Sequence, residues 1–252
     1  MPRFFIGSHQ VSNGTASILG ADAAHLSRAL RVQRGELVVV VEAGQIEHGV
    51  RVDAVSPTRV AGRIAWSRPA TGEPSRAITV LQAVPAREMD AAVEALVEAG
   101  AATIMPVLTR RSVTRPSTER ARSRLERWRT IARESAQLAG RARAPEVRAV
   151  QTLPEALSSL PHNARVLACV VDQQSAPLAR VTTEPSRPVA VAIGPEGGFD
   201  PAEREALRDT GAEECHLGPR VFPAWLAGAV AVTLLLCDSG DLDAAVAAAP
   251  AS

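Results

Sequence analysis

The chain has 252 residues, 46% of them apolar and 22% charged, with a formal net charge of +1. That excludes a single small domain, a disordered chain and a uniformly charged polyelectrolyte. All 28 basic residues are Arg, which rules out lysine Schiff bases and the phosphate-binding lysine of a Walker loop. Cys169, Cys215 and Cys237 are widely spaced without a C-x-x-C pair. They offer neither a zinc site nor a disulfide framework and read as small core residues. The start of the chain lacks the apolar stretch of a signal peptide, and the longest apolar run, Ala224 to Cys237, is too short to span a bilayer. The expectation is a cytoplasmic protein with no membrane partner.

In chain order, residues 1–70 read as short strands. Glu36 to Val41 is an apolar run, and Ile46 to Val52 and Thr58 to Ile64 follow, punctuated by Gly44, Gly49, Pro57 and Gly62. Ala21 to Leu30 is the helical exception, with His25, Arg28 and Arg31 placed to share one side. This is the content of a small β-barrel. Ser67 to Ser75 has the composition of an exposed linker. Strands and helices then alternate. Ala77 to Val84 is an apolar run. Glu88 to Gly100 is a helix whose Met89, Ala92, Val93, Leu96 and Val97 form one face, and Thr103 to Val107 is a strand. Ser117 to Leu138 is a long helix with Leu125, Trp128, Ile131, Ala132 and Ser135 on one side. Val166 to Val171 and Val189 to Ile193 are buried strands, Pro201 to Thr210 is helical, Glu214 to Leu217 is a strand, and Ala224 to Cys237 is an apolar helix. The Ala-rich tail after Asp243 reads as frayed. Such alternation implies an α/β fold, a mainly parallel sheet with helices on both faces.

Charge is uneven. Residues 110–148 carry twelve Arg against four Glu, whereas residues 149–252 carry six Arg against thirteen acids. The basic block fits a polyanion partner or a solvated helix face. Two segments have the form of a ligand site. In Val189 to Asp200 a strand runs into Gly194-Pro195-Glu196-Gly197-Gly198, and a helix then opens on Asp200-Pro201-Ala202-Glu203, a capping box. In Cys215 to Val221 a second strand runs into Gly218-Pro219 ahead of the last helix. Glycine turns at the carboxyl ends of parallel strands let backbone approach a ligand closely. Each could equally be a tight structural turn.

The string AIGPEGGFDPAEREAL followed by HLGPRV resembles the RsmE family, the small-subunit ribosomal RNA (uridine-N3) methyltransferases of the SPOUT class. MPRFF, HLSRALRVQRGE, VEALVEAGAATIMPVLTRRSV and RWRTIARESAQLAGRARAPEV match the family in the same order over nearly the whole chain. The resemblance implies a PUA-like β-barrel holding RNA over residues 1–70 and a SPOUT methyltransferase domain with a C-terminal trefoil knot over residues 76–252. It implies S-adenosyl-L-methionine as cofactor, ribosomal RNA or the small subunit as partner, and a homodimer; no metal is expected. Carried over by position, cofactor contacts fall on Val171, Ile193, Gly194, Pro195, Glu196, Gly197, Gly198, Leu217, Gly218, Arg220, Val221, Phe222 and Ala227. RNA contacts fall on Arg3, His25, Arg28, Arg31, Arg111, Arg141 and Arg143, and Arg220 is the catalytic candidate.

The match breaks after HLGPRV. The family's Arg falls on Pro223 and its Glu on Trp225. The acidic-amide pair before Gly140 becomes Gln137-Leu138, and a family Lys aligns with Ala95. Three readings therefore stand: an active enzyme whose cofactor contacts are mainly backbone, an impaired RNA-binding homologue, or a SPOUT enzyme with another acceptor such as ribose 2′-O.

Overall fold

The computed structural model describes residues 3–112, 118–172, 174–184 and 186–243. These divide into two compact units. The first comprises residues 3–73 with Ala136–Ala144, and the second Pro74–Ser135 with residues 145–243.

The first unit is built on a six-stranded sheet. Its strands are β1 (Arg3–Ile6), β2 (Val11–Ser12), β3 (Thr15–Leu19), β4 (Leu37–Glu42), β5 (Ile46–Val55) and β6 (Arg59–Pro69), in the order β1-β4-β5-β6-β3-β2. Only β1 and β4 run parallel; the other pairs are antiparallel. Alternation drives Phe4, Ile6, Ile18, Val38, Val40, Val50, Val52 and Val60 into one core. The β5–β6 register shifts at Gly49/Val50 and at Val52/Ala54. Gly62 lies beside the second shift, where a Cβ would sit inside the Arg51 carbonyl, so only glycine fits. Helix α1 (Gly20–Ala24) continues as one π-turn over His25–Ala29, so the expected helix is present but changes its winding. Ser67 to Pro69 complete β6 opposite His48 to Ile46, and the expected linker is accordingly shorter than its composition implied.

In the second unit, apolar runs form β7 (Ile78–Ala83), β8 (Thr103–Leu108), β11 (Arg165–Cys169), β13 (Val189–Ile193) and β14 (Glu213–His216). Two-residue strands β9 (Glu146–Val147), β10 (Gln151–Thr152) and β12 (Ala176–Pro177) complete an eight-stranded sheet. Its order is β10-β8-β7-β13-β11-β14-β12, with β9 also on β8. Every pair in it is parallel. Leu81, Ala83, Met105, Val107, Ala190 and Ala192 pack on one face against α4 (Leu153–Ser158) and α5 (Pro201–Asp209). Toward the other face, Val80 and Gln82 meet Gly228 of α6 (Ala224–Asp238), which in turn meets Leu96 of α2 (Met89–Glu98). Helix α3 (Thr118–Leu138) is tied to α2 through Trp128 Nε1, which donates to Asp90 at 3.1 Å. Ser117 and the Ala-rich tail lie outside the described residues. Among the described residues no helix is long and apolar enough to cross a membrane. Cys215 is buried and Cys169 half-buried, but Cys237 is exposed on α6. The expectation of a third core cysteine is corrected: the helix buries its Ala231, Val232, Leu235 and Leu236 instead.

Candidate active site

Three parallel strands end level with one another. Cys169 of β11 is opposite Ile193 of β13 on one side and Cys215 of β14 on the other. Gln82 of β7 extends the row beyond Ile193. The turns after β13 and β14 therefore leave the same edge of the sheet, separated by the one strand β11. That is two strand spacings, roughly 10 Å. The segment after β11 lies between them, fixed by the Val170 N–H donating to the Cys215 carbonyl at 2.8 Å.

The floor beneath these turns is apolar. Ile193 is buried, and the Cys169 and Cys215 sulfurs are 3.8 Å apart. The bond to Cys215 and burial push the Cys169 thiol well above its usual range, so it stays protonated at neutral pH. Above the floor, Val171 and Val221 are 85% and 74% exposed. Two apolar side chains standing in solvent on neighbouring turns are what an apolar ligand face would cover. Gly218 sits at φ +103, and nothing lies within 4 Å of where its Cβ would be. Its N–H donates to His216 Nδ1 at 3.0 Å. These residues fit a flat, partly apolar nucleoside held by backbone groups.

Neighbouring loops brace the first turn. Gly198 N–H donates to the Pro195 carbonyl at 2.8 Å. Glu196 accepts from the Ala86 N–H after β7 at 3.2 Å. Arg111 donates to the Gly197 carbonyl. The capping box forms as its sequence requires: Asp200 Oδ1 accepts the Glu203 N–H at 2.8 Å, and Glu203 Oε2 accepts the Asp200 N–H at 2.9 Å. The other Glu203 oxygen accepts the Arg110 N–H at 2.6 Å. Behind the middle loop, Arg204 of α5 holds Asp172 at 3.0 Å and also pairs with Glu214 of β14.

The segment that departs from the family opens α6. Pro223 is its N-cap, with φ −60, and its carbonyl accepts the Leu226 and Ala227 N–H groups at 3.0 Å. A proline meets that backbone without strain. Trp225 is half-buried in the first turn, which holds no acidic residue. Ala227 is buried one turn in. Gln82 anchors this helix start. Its Nε2 donates to the Ala224 carbonyl at 3.2 Å, and its buried Oε1 has no partner among the described residues. The sequence reading passed over Gln82, although one amide inside the apolar run Ile78 to Ala83 was a signal.

The structure sorts the basic candidates. His25, Arg28, Arg31, Arg111, Arg143 and Arg220 are exposed. Arg141 is buried and donates to both oxygens of Glu73, at 3.2 and 2.9 Å. Arg3 lies 3.3 Å from Glu47 with its side chain 13% exposed. Each of these two pairs with a carboxylate of the first unit, Arg3 with Glu47 and Arg141 with Glu73.

Glycine turns at the carboxyl edge of a parallel sheet define an α/β protein that takes its ligand at the strand tips. The chain belongs to the RNA methyltransferase family, whose RNA methyltransferase domain profile matches residues 72–236. It is similar to the ribosomal RNA small subunit methyltransferase E of Mycobacterium tuberculosis, 28% identical over 91% of this chain and 88% of the relative. The Bacillus subtilis protein of that name is 25% identical over 88% of this chain and 91% of its own. Among solved structures, ribosomal RNA small subunit methyltransferase E from Neisseria gonorrhoeae, bound to S-adenosyl methionine, superposes with a TM-score of 0.82. It is 25% identical over 92% of this chain and 95% of that one.

Proposed function

We propose that the protein transfers a methyl group from S-adenosylmethionine to N3 of a uridine in small-subunit ribosomal RNA. The observation that carries this reading is the level row Cys169–Ile193–Cys215, which sets both glycine turns on one edge over an apolar floor. When bound, S-adenosylmethionine supplies a sulfonium-activated methyl. Backbone groups of Gly194 to Gly198 and Leu217 to Phe222 would hold the adenine, and Ile193, Leu217, Val171 and Val221 would supply apolar contact. N3 lies on the pairing edge of uracil and carries a proton, so the base must leave its stack and its developing anion must be stabilised. Arg220, exposed on the second turn, is the residue we assign to that charge. Arg3, His25, Arg28, Arg31, Arg141 and Arg143 of the first unit and Arg111 of the second are the proposed RNA contacts. The finer reading of the fold belongs to the same proposal: a PUA-like barrel in the first unit, a C-terminal trefoil knot in the second, and a homodimer closing the pocket.

The test is methylation of small subunits lacking the modification, with the product located by nuclease digestion and mass spectrometry. Methyl on the base at N3 is the expected result, and methyl on the ribose would replace the acceptor. Cofactor binding without transfer would make the chain an impaired RNA-binding homologue. The double variant Pro223→Arg, Trp225→Glu restores the family's charges and is expected to raise turnover. Unchanged turnover would show that the backbone contacts suffice.

A further inference from the structure

A second concavity opens on the same carboxyl edge, outside every residue assigned above to cofactor or RNA. It has a volume of about 400 Å³, within the range of small-ligand sites. Its walls mix apolar residues, Leu108 at the end of β8, Leu153 and Pro154 opening α4, and Ala202 and Ala206 of α5, with the polar Thr109, Thr152 and Glu203. Among the described residues Arg110 is the one cation lining it, 69% exposed, with Nε 3.4 Å from Asp200.

The helix starts around this groove are already capped. Glu203 accepts the Asp200 and Arg110 N–H groups, and Thr152 forms the capping box of α4 with Glu155. A phosphate would find few spare donors there. A flat, apolar body with an electron-rich face fits better, because a guanidinium stacks on such faces. The groove is also tied to the glycine turn. Arg110 pairs with Asp200, and its neighbour Arg111 donates to the Gly197 carbonyl. From β13 across β7 to β8 is two strand spacings, roughly 10 Å. Exposed Arg87 after β7 and Arg111 after β8 supply positive charge along that path.

We infer that this groove holds one unstacked nucleobase of the substrate RNA beside the methylated uridine, packed between Arg110 and the wall formed by Leu153, Pro154 and Ala206. Single-stranded RNA is recognised in this manner, by bases splayed onto apolar and guanidinium surfaces. The inference rests on the RNA substrate proposed above. It makes the groove a determinant of which nucleotide context is accepted.

Ala202→Trp fills the groove from an exposed helix position, and Arg110→Ala removes its cation. Each is expected to raise the KM for RNA about tenfold, since a stacked base contributes roughly 1–3 kcal/mol. Cofactor Kd by calorimetry and the melting temperature should stay at wild-type values. An RNA KM unchanged in both variants overturns the inference, as does a parallel loss of cofactor affinity, which would make the groove a support of the turn. A defect confined to assembled particles, with naked-RNA affinity intact, assigns the groove to a ribosomal protein and also overturns it. If the wild-type protein transfers no methyl to RNA, the functional reading falls first, and that result is separate from any variant.

Discussion

The two glycine turns share an edge and differ in how they are held. Residues 194–198 are braced from three sides: Ala86 on Glu196, Arg111 on Gly197, and a capping box behind Asp200 that also engages Arg110. Residues 217–222 have, among the described residues, the Gly218–His216 bond at one end and the Gln82 anchor of α6 at the other. Between these points Arg220 and Val221 stand exposed. A redundantly bonded wall tolerates the loss of any one contact, whereas a wall pinned at its ends depends on each pin. The turn carrying Arg220 is thus the more adaptable of the two.

The largest effect should come from the loosely held side. Gly218→Val forces a branched side chain onto φ +103, a strain of roughly 1–3 kcal/mol. Calorimetry should show cofactor binding weakened about 10- to 100-fold; affinity within twofold of wild type would refute the importance of that backbone shape. Gln82→Leu removes the anchor of α6 together with an oxygen that has no partner among the described residues. A hydrogen bond of about 1 kcal/mol implies a roughly fivefold rise in the KM for cofactor, with little change in melting temperature or kcat. A fall in kcat alone would place Gln82 elsewhere in the mechanism.

Acid should loosen the segment between the turns. The Gln174 N–H and then Arg204 hold Asp172 below its ordinary 3.8, and Arg204 holds Glu214 below its ordinary 4.5. The unfolded chain therefore binds more protons, so the stabilisation is complete above about pH 4.5 and is lost as pH falls through the depressed folded values. Urea unfolding over a pH series should show this decline in the wild type and a flatter one in Arg204→Met. Equal slopes would break the assignment. The smallest effect belongs to the braced turn: Arg111→Ala should change cofactor affinity less than about twofold, because the remaining contacts persist. A tenfold loss would erase the contrast between the two walls.

Local signals in the sequence were enough for the braced turn. Asp200, Pro201 and Glu203 specify the helix start, and the preceding apolar run specifies the strand. The meeting of the two turns was not readable locally, because β13 and β14 are neighbours only through β11, which precedes both in the chain. Without the family resemblance, no periodicity reports that order. Strands of two residues such as Gln151–Thr152 are too short for alternation to register. Helix α4 was missed for its brevity, although Thr152, Pro154 and Glu155 signalled its start. Charge counting also failed where it could not separate a solvated arginine from an internally paired one. Arg143, 72% exposed, and Arg141, 4% exposed, are two residues apart and pair with the same Glu73.

That carboxylate makes the first unit discontinuous in sequence. Glu73 receives Arg141 and the N–H groups of Ala142 and Arg143, all supplied by a segment more than sixty residues downstream. An amino-terminal fragment cut after residue 75 would keep the acid and lose every one of those donors. The first unit cannot be transplanted as a simple leader: any chimera, truncation or split reporter has to carry residues 136–144 with it or supply them in trans.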